Sequence, residues 1–301
     1  MSRHAARQAR FAAEYLKDRN ARAAALRAGY SRSVAETSGH RLLRRPAIAA
    51  AIEAAERQAE GGLHAEAERV LAETARVAFA DPGRLFDADG RLIELAALDA
   101  DDAAMLREIW TGGSKARRLR KVRLVNRLRA LRLLARRLGL LNGADAEDGA
   151  PDPAPAAAPL SHRQRRFIVE YLIDLNAGAA ARRAGYRARY PRSTGHQMLK
   201  RPAIAAELEA RQAALLARFE ITRERVIEGI AAIAFFDGRR VCAADDTLRP
   251  VRDLDPPERK ALTGFDIETE TGRVHYLQSA DKVAALVLLA DCLERRWQDE
   301  G

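Results

Sequence analysis

The sequence contains one long motif twice, and the two occurrences are separated by a constant 156 residues (167 − 11 = 202 − 46 = 156). A constant spacing without gaps indicates a duplicated domain rather than chance similarity between alanine-rich helices. Positions kept in both copies can therefore be compared within one chain. In the first copy the kept positions are Phe11, Tyr15, Asn20, Arg27-Ala28-Gly29-Tyr30, Gly39-His40, Leu43 and Arg45-Pro46-Ala47-Ile48-Ala49-Ala50. In the second copy they are Phe167, Tyr171, Asn176, Arg183-Ala184-Gly185-Tyr186, Gly195-His196, Leu199 and Arg201-Pro202-Ala203-Ile204-Ala205-Ala206.

A segment rich in proline, alanine and acidic residues separates the two copies. It covers residues 142–160, a composition typical of an extended linker with no core of its own. The copies are therefore predicted at 1–141 and 161–301, each large enough for an ordinary hydrophobic core. In each copy we expect a helical head, at about 5–60 and 161–218, and a tail, at about 65–141 and 220–298.

The head of each copy has the pattern of four helices. Phe11 and Tyr15 lie on one apolar stripe of the first helix. Gly29 permits a left-handed turn after the second helix, and Pro46 suits the first turn of the fourth. The predicted helices of copy one cover residues 7–17, 21–28, 32–44 and 46–60, with Asn20 and Ser31 as N-caps of the second and third.

The tail of each copy combines helices with a small β-hairpin. In copy two the run 265–276 alternates around Gly272 and predicts a hairpin, and the equivalent run 109–125 of copy one carries Gly112-Gly113 at its turn. Each tail begins with a helix, for which copy one is expected to turn these side chains inward: Val70, Leu71, Thr74, Val77 and Ala78.

A further helix closes each copy, over residues 126–135 and 281–290, where the spacing falls to 155 (281 − 126). The apolar run 283–290 predicts a helix buried on most sides, within its own copy or against a partner chain. The fold class is therefore mainly α, with tandem helix-turn-helix heads, each followed by an oligomerisation region of helices and a β-hairpin.

The charge of the chain favours a polyanionic partner. The net charge is +10 at pH 7. Residues 1–57 carry 12 basic and 5 acidic side chains, whereas residues 58–106 carry 4 basic and 11 acidic ones. Copy two repeats this order of a basic head and an acidic tail. The charge indicates nucleic acid as the first candidate partner, before an anionic membrane.

Several classes of protein are disfavoured by what the sequence lacks. Cys242 and Cys292 are too far apart for a zinc-type pair, which fits a reduced cytoplasmic setting. The N-terminal residues lack the apolar core of a secretory signal, and no run of about 18 apolar residues is present to span a membrane. We expect neither enzymatic activity nor a cofactor, because no phosphate-binding loop or catalytic constellation is visible. Asp99, Asp101 and Asp102 favour a turn and a helix N-terminus over a metal site.

The tight turn at Gly29 predicts a DNA-binding helix-turn-helix. The alanines before it let two helices cross closely, and the helix after it can enter a major groove. Its period places Ala35, Gly39, Leu42 and Leu43 inward. The candidate DNA-binding residues of copy one are Arg32, Ser33, Thr37, His40, Arg41, Arg44 and Arg45. A helical hairpin whose arginines are merely solvated is the alternative interpretation.

The corresponding helix of copy two differs on its outward side. Its candidate DNA-binding residues are Arg189, Arg192, Ser193, His196, Gln197, Lys200 and Arg201. Arg192 stands where copy one has Glu36 (192 − 36 = 156), which reverses the charge. Because Arg187 replaces the Ser31 cap and Pro191 enters the run, we expect a shorter helix that starts near Pro191. We therefore hypothesise that copy two makes more phosphate contacts and discriminates bases less.

Copy one also contains a dense basic run without an equivalent in copy two. Its cationic side chains are Lys115, Arg117, Arg118, Arg120, Lys121 and Arg123. The run is either a second DNA-binding arm that contacts phosphates or a solvated, mobile hairpin arm. Since copy two has Thr271-Gly272-Arg273-Val274-His275 there, the fold itself does not require the run.

The head segments resemble the terminase small subunit family of bacteriophages. The resemblance lies in F-x-x-E-Y-L-x-D-x-N-A from Phe11, in A-A-x-R-A-G-Y from Ala24, and in G-x-x-L-L-x-x-P-x-I from Gly39, with close repeats in copy two. The tail segments 75–92 and 125–141 resemble the downstream region of the same family. The resemblance therefore covers nearly all of both copies and excludes the linker.

This resemblance implies a non-catalytic DNA-recognition subunit of a phage or prophage packaging motor. Such subunits form homo-oligomeric rings, bind the packaging site in double-stranded DNA and deliver it to a large ATPase–nuclease subunit in the bacterial cytoplasm. The family usually carries one unit per chain, so the tandem fusion departs from its ring stoichiometry. The alternative function is a duplicated helix-turn-helix transcriptional regulator, which should be a monomer or small dimer on a short operator.

Overall fold

Helices account for 65% of the residues that the structure describes, as expected for a mainly α chain. The computed structural model describes residues 3–114, 117–141, 160–186 and 189–300, so the predicted linker lies almost wholly outside the described residues. Copy one contains α1 (Arg3–Asp18), α2 (Ala21–Arg27), α3 (Arg32–Leu43), α4 (Pro46–Phe79), α5 (Ala100–Ala103) and α6 (Arg127–Arg137). Copy two contains α7 (His162–Asp174), α8 (Ala177–Arg183), α9 (Pro191–Leu199), α10 (Pro202–Arg218), α11 (Arg223–Ala234), α12 (Pro256–Lys260) and α13 (Lys282–Glu300).

The chain divides into two compact units, and each unit draws on both copies. Unit 1 combines Met1–Glu68 with Ala150–Glu209, which are the two heads. Unit 2 combines Arg69–Gly149 with Ala210–Gly301, which are the two tails. Like parts of the two copies are therefore grouped together, an arrangement that the order of the copies along the chain does not specify.

The local signals predicted for the heads are present in the structure. The Asn20 side chain accepts a hydrogen bond from the Ala23 amide at 3.0 Å and caps α2. Gly29 adopts the expected left-handed conformation, with φ at +87°. Ser31 occupies the N-cap position of α3 without making a side-chain cap bond, and its hydroxyl lies 3.2 Å from that of Ser33 instead. The shorter helix predicted to start near Pro191 is confirmed by α9, which has 9 residues against 12 in α3.

The expectation of two helices over residues 46–78 is wrong, because α4 runs unbroken through Gly61 and Gly62. Copy two does break at this place: the Thr222 hydroxyl accepts a bond from the Arg225 amide at 3.2 Å and caps α11. Copy one has Glu66 at the position of Thr222 (222 − 156 = 66), and glutamate continues a helix where threonine caps one. Val70 is exposed, contrary to its predicted inward position, because the buried side of α4 carries Ala67, Leu71, Ala75 and Ala78.

The two hairpins of the tails form one antiparallel sheet in unit 2. Its strands are β1 (Leu106–Ser114), β2 (Arg117–Leu124), β3 (Leu262–Glu268) and β4 (Val274–Ser279), in the order β1-β2-β3-β4. Strands β2 and β3 pair with Val122 opposite Phe265 and Lys121 opposite Asp266. One face packs on an apolar core in which the rings of Phe86 and Phe265 meet edge to face at 5.1 Å. The sequence predicts each hairpin but not their pairing through β2 and β3.

The predicted turn of the first hairpin is misplaced. Gly112 and Gly113 lie within β1, opposite Leu119 and Arg118, and the strands connect at 115–116, outside the described residues. Gly112 is required for another reason: the indole of Trp110 covers it so closely that a Cβ there would overlap the ring. The turn of the second hairpin is as predicted, with Gly272 at a φ of +70°.

The closing helix α13 has one buried face and one exposed apolar face. Ala285, Leu288 and Cys292 are buried, whereas Val283 is 70% exposed and Val287 is 54% exposed. The prediction that this helix is buried on most sides is therefore wrong within its own copy, and burial against a partner chain is the alternative that stays open. Within the described ranges, no helix combines the length and apolarity needed to cross a membrane.

The contacts between the two tails within unit 2 form what we call the copy joint. Arg127 bridges the two tails: its guanidinium is buried and donates to the carbonyl oxygens of Ala80 in copy one and Lys260 in copy two. Burial lowers the pKa of Arg127 to about 10, so the side chain remains charged at neutral pH. Arg259 of copy two forms an ion pair with Asp81 of copy one at 2.8 Å.

Candidate nucleic-acid interface

Each head is built around one buried phenylalanine. The ring of Phe11 stacks on Tyr15 and meets Tyr30 edge to face, with 6.3 Å between centroids in both pairs. In copy two Phe167 makes the same contacts with its tyrosines at 6.2 and 6.5 Å. The kept aromatic residues are therefore the scaffold of the head rather than a binding surface.

The helices before and after the tight turn cross with their backbones in close contact, which fixes the direction of α3 and α9. Gly39 is buried against the backbone of Ala21, where an added Cβ would lie 3.1 Å from the carbonyl. Gly195 is closer still, since an added Cβ would overlap the backbone of Ala177. The predicted inward positions of α3 are confirmed: Ala35, Gly39 and Leu42 are buried and Leu43 is half-buried.

The arginine of the kept Arg-Ala-Gly-Tyr motif is structural, a role that the sequence reading did not assign. Arg27 donates to the Glu14 carboxylate at 2.6 Å and to Asp18 at 2.9 Å, tying α2 to α1. Hydrogen bonds from Lys17 and Arg27 lower the pKa of Glu14. Arg183 repeats the pairing in copy two, with Glu170 and Asp174. The signal was available, because both carboxylates recur in each copy at the same spacing.

The candidate residues of the first head occupy the exposed side of α3 and the turn that follows it. Arg32 and Ser33 are exposed in the first turn of α3, and His40 and Arg41 are exposed in its last turn. Arg44 and Arg45 are exposed directly after the helix, where Arg45 lies 3.1 Å from the His4 ring. The backbone of Thr37 belongs to α3, but its side chain lies outside the described residues. The structure thus brings the described candidates together on one surface.

The second head presents a similar surface, with four arginine or lysine candidates as in the first head and with Arg192 at the position of Glu36. His196 is half-buried, and the other candidate side chains are exposed, namely Arg189, Arg192, Ser193, Gln197, Lys200 and Arg201. Arg189 lies over the exposed ring of Tyr190 at 5.7 Å. Because α9 begins with Pro191, Arg192 is in its first turn.

A basic groove lies between the heads within unit 1. Its volume is about 990 Å³, and its lining includes Arg201 from the candidate set. The other cationic lining residues are Lys17, Arg19, Arg163, Arg166 and Arg182, and Asp18 is the acidic one. This groove was not foreseen, since no local pattern brings the two heads together.

An ion cluster beside the groove connects the heads. His162 of copy two lies 3.1 Å from both Glu56 and Glu60 on α4. Arg165 pairs with Glu60 at 3.2 Å, and Arg19 pairs with Glu56. Burial lowers the pKa of His162 in spite of the two carboxylates. Because Arg19 and Glu56 both belong to copy one, the pair of Arg165 with Glu60 is the one that joins the heads at neutral pH.

The dense basic run of copy one largely forms strand β2 of the sheet. Arg123 pairs with Asp266 at 2.8 Å, and the Lys121 ammonium lies 5.2 Å above the Trp110 ring. Arg120 is half-buried in β2. Lys115 lies outside the described residues, as do the side chains of Arg117 and Arg118. Its described cations thus take part in the packing of the sheet.

The acidic run near α5 serves as a helix cap. The Asp99 carboxylate accepts a bond from the Asp102 amide at 2.7 Å, as the turn interpretation predicts. This backbone bond lowers the pKa of Asp99. Within the part of the chain that the structure describes, no group of three or more His, Cys, Asp or Glu side chains is arranged to hold a metal ion.

Comparison with known proteins gives two separate matches to one family, the terminase small subunit, over residues 5–148 and 160–300. The chain belongs to the terminase small subunit family. The terminase small subunits of Bacillus phage SF6 and Bacillus phage rho15 are each 38% identical to it over 131 residues, which are 43% of this chain and 77% of the relative. No solved structure matches the chain. Two terminase small subunit matches in sequence are consistent with the tandem duplication.

Proposed function

We propose that this terminase small subunit is the non-catalytic DNA-recognition subunit of a phage or prophage packaging terminase. Its heads bind viral double-stranded DNA and hand it to the large ATPase–nuclease subunit in the host cytoplasm. The observation that carries the proposal is the pair of closely crossed helices in each head, α2–α3 and α8–α9, whose second helix exposes a cationic surface. That geometry is the one by which a helix-turn-helix presents its second helix to the major groove.

The exposed side chains divide into two roles under this proposal. Arg32 and Ser33 lie at the N-terminus of α3, the end that approaches base edges in a helix-turn-helix. Arg44 and Arg45 follow the helix and are suited to phosphate contacts. In the second head Arg192 takes the first-turn position, so phosphate attraction increases there at the expense of base readout.

The two copies, 1–141 and 161–301, act as two non-identical DNA-binding halves of one subunit. Because each chain carries two heads, a homo-oligomeric ring of such chains contains an even number of heads. The basic groove of unit 1 supports the proposal, because cations that line it add to the attraction for the phosphate backbone.

The proposal predicts that DNA binding by two matched double variants of the full chain depends less on salt than binding by the wild type. Arg44→Ala with Arg45→Ala removes two exposed cations from the first head, and Lys200→Ala with Arg201→Ala removes two from the second. Each pair should reduce the slope of log K against log salt by about 2. Binding is measured by fluorescence anisotropy with a duplex at several salt concentrations.

The matched control removes two exposed cations from α6, Arg129→Ala with Arg132→Ala, and should leave the slope unchanged. If the first head discriminates bases, its variant loses preference for a specific duplex over a random one, whereas the second-head variant keeps it. Equal slopes for wild type and both head variants would count against DNA binding through the heads. A short operator bound by a small dimer would favour a transcriptional regulator.

A further inference from the structure

The copy joint is directional: the two copies contribute different surfaces to it. Copy one contributes β2, α6 and Phe79, and copy two contributes β3 and α11. Since the copies share one fold, copy two carries its own version of the first surface and copy one carries its own version of the second. Strand β4 and helix α13 form the copy-two version of the first surface. Strand β1 and the end of α4 form the copy-one version of the second surface. Both β1 and β4 are edge strands of the sheet.

The structure itself confirms which tail residues are equivalent. The Val125 amide donates to Met105 at 2.8 Å, and the Ala280 amide donates to Ala261 at 2.8 Å. Met105 and Ala261 differ by 156 residues (261 − 105), and Val125 and Ala280 differ by 155 (280 − 125). Strand β1 therefore corresponds to β3 with a spacing of 156, and β2 corresponds to β4 with a spacing of 155.

We propose that the two unused surfaces bind each other between chains, so that the copy joint is repeated from one chain to the next. Strand β4 of one chain then pairs antiparallel with β1 of its neighbour, in the register of β2 and β3. Within one chain Lys121 lies opposite Asp266. The corresponding pair between chains is Tyr276 opposite Trp110 (121 + 155 = 276; 266 − 156 = 110). The inference deepens the proposed homo-oligomer and does not depend on DNA binding.

The exposed apolar side chains of unit 2 occupy these unused surfaces. Trp110 is 46% exposed on β1, and Tyr276 is 51% exposed on β4. A cross-strand aromatic pair is among the stabilising neighbours in a sheet. Without a partner these two side chains are large apolar groups left on open sheet edges, an arrangement that proteins avoid.

A second contact of the copy joint has the same unused counterpart. The Arg225 guanidinium lies 4.0 Å above the Phe79 ring, across the joint. The equivalent residues are Arg69 and Phe235 (225 − 156 = 69; 79 + 156 = 235). Arg69 is exposed, and Phe235 is 67% exposed. A neighbouring chain that brings its Arg69 to Phe235 would restore the cation–π contact.

The closing helices show the same contrast. Leu131 on α6 is fully buried against Gly229 on α11, whereas its equivalent on α13, Leu286, is partly exposed (131 + 155 = 286). In the neighbouring chain Leu286 meets Glu73, the counterpart of Gly229 (229 − 156 = 73). The contact between chains is therefore less closely packed than the copy joint, although the exposed face of α13 is covered in it. A joint of two different surfaces repeats from one chain to the next, and it forms a ring when the rotation between neighbouring chains closes.

Disulfide cross-linking tests the register. Trp110→Cys and Tyr276→Cys are combined in one chain, in a Cys242→Ser background, with the buried Cys292 left unchanged. Within one chain the two positions are three strand spacings apart, about 14 Å, which exceeds the reach of a disulfide. Oxidation should give a ladder of covalent multiples of 33.2 kDa on a denaturing gel. The control, Thr111→Cys with Tyr276→Cys, places the thiols on opposite faces of the sheet and should give no ladder.

Three results would overturn the proposal. A covalent dimer from Trp110→Cys alone or from Tyr276→Cys alone would mean a two-fold contact between like strands. No ladder from the combined variant, in a protein with native circular dichroism, would mean a different register. A wild-type chain that is a monomer at micromolar concentration would mean no such contact.

A second measurement does not use introduced cysteines. Leu286→Glu should lower the native mass to that of the monomer without changing the circular dichroism, and Leu26→Glu, an exposed leucine in unit 1, should keep the wild-type mass. An unchanged mass for Leu286→Glu would contradict the proposed role of α13. If the heads do not bind DNA but the cross-linked ladder still forms, the proposed function is contradicted and this inference is not.

Discussion

Replacing Gly195 by alanine is expected to destabilise the second head by about 3 kcal/mol or more, because overpacking against a backbone cannot relax by a side-chain movement. The added Cβ would overlap the carbonyl group of Ala177, and separating α8 from α9 is the remaining way to accommodate it. Gly39→Ala in the first head should cost less, since its Cβ would lie 3.1 Å from the nearest atoms. The free energy of unfolding is measured by urea denaturation of the full chain.

Gly61→Ala is the matched control. Gly61 lies inside α4 with no atom within 4 Å of an added Cβ, so alanine should stabilise by about 0.5–1 kcal/mol through its higher helix propensity. The expected order of stability is therefore Gly61→Ala, wild type, Gly39→Ala, Gly195→Ala. A Gly195→Ala variant as stable as wild type would show that the helices do not cross as closely as described.

Replacing Arg127 by methionine is expected to destabilise unit 2 by about 3 kcal/mol, since each hydrogen bond from a charged donor contributes about 1.5–3 kcal/mol. The substitution leaves the carbonyl oxygens of Ala80 and Lys260 without this donor in a buried site. Because those carbonyls belong to different copies, the copy joint should loosen. Amide hydrogen exchange in β2 and β3 should accelerate together with the loss of stability.

Copy two supplies the comparison for this variant. Its equivalent residue is Lys282 (127 + 155), which donates to the Phe236 carbonyl at 3.1 Å. Arg127→Lys should therefore recover the bond to Ala80, the counterpart of Phe236, and have an intermediate stability. Arg129→Met, exposed on the same helix, should change stability by less than about 0.5 kcal/mol. Equal losses for Arg127→Met and Arg129→Met would argue against the bridging role.

The features predicted correctly from the sequence are those fixed by local chemistry. Asn20 caps a helix through its own side chain, Gly29 adopts a conformation that other residues avoid, and Pro191 sets the start of α9. Each depends on neighbours within a few residues, so the sequence contains the whole signal. The inward face of α3 was predictable for the same reason.

The errors arose where distant segments decide the structure. Val70 carries the apolar character of a buried residue, but the packing of α4 turns it outward. The sequence predicts a turn at Gly112 because glycine is common in turns, whereas the Trp110 ring requires a glycine there within a strand. The pairing of β2 with β3 joins residues more than a hundred positions apart, and no local pattern specifies such a contact. For the candidate interface, the exposed arginines were predictable, but the groove between the heads was not.

The four-stranded sheet of unit 2 forms within a single chain, so its strand pairing is independent of dilution. A lone two-stranded hairpin is marginally stable in water. Here each hairpin finds its neighbour on the same polypeptide, so their pairing does not depend on the protein concentration. Strands β2 and β3 therefore stay paired however few chains are present. A single chain therefore contains a complete four-stranded sheet before it meets any other chain.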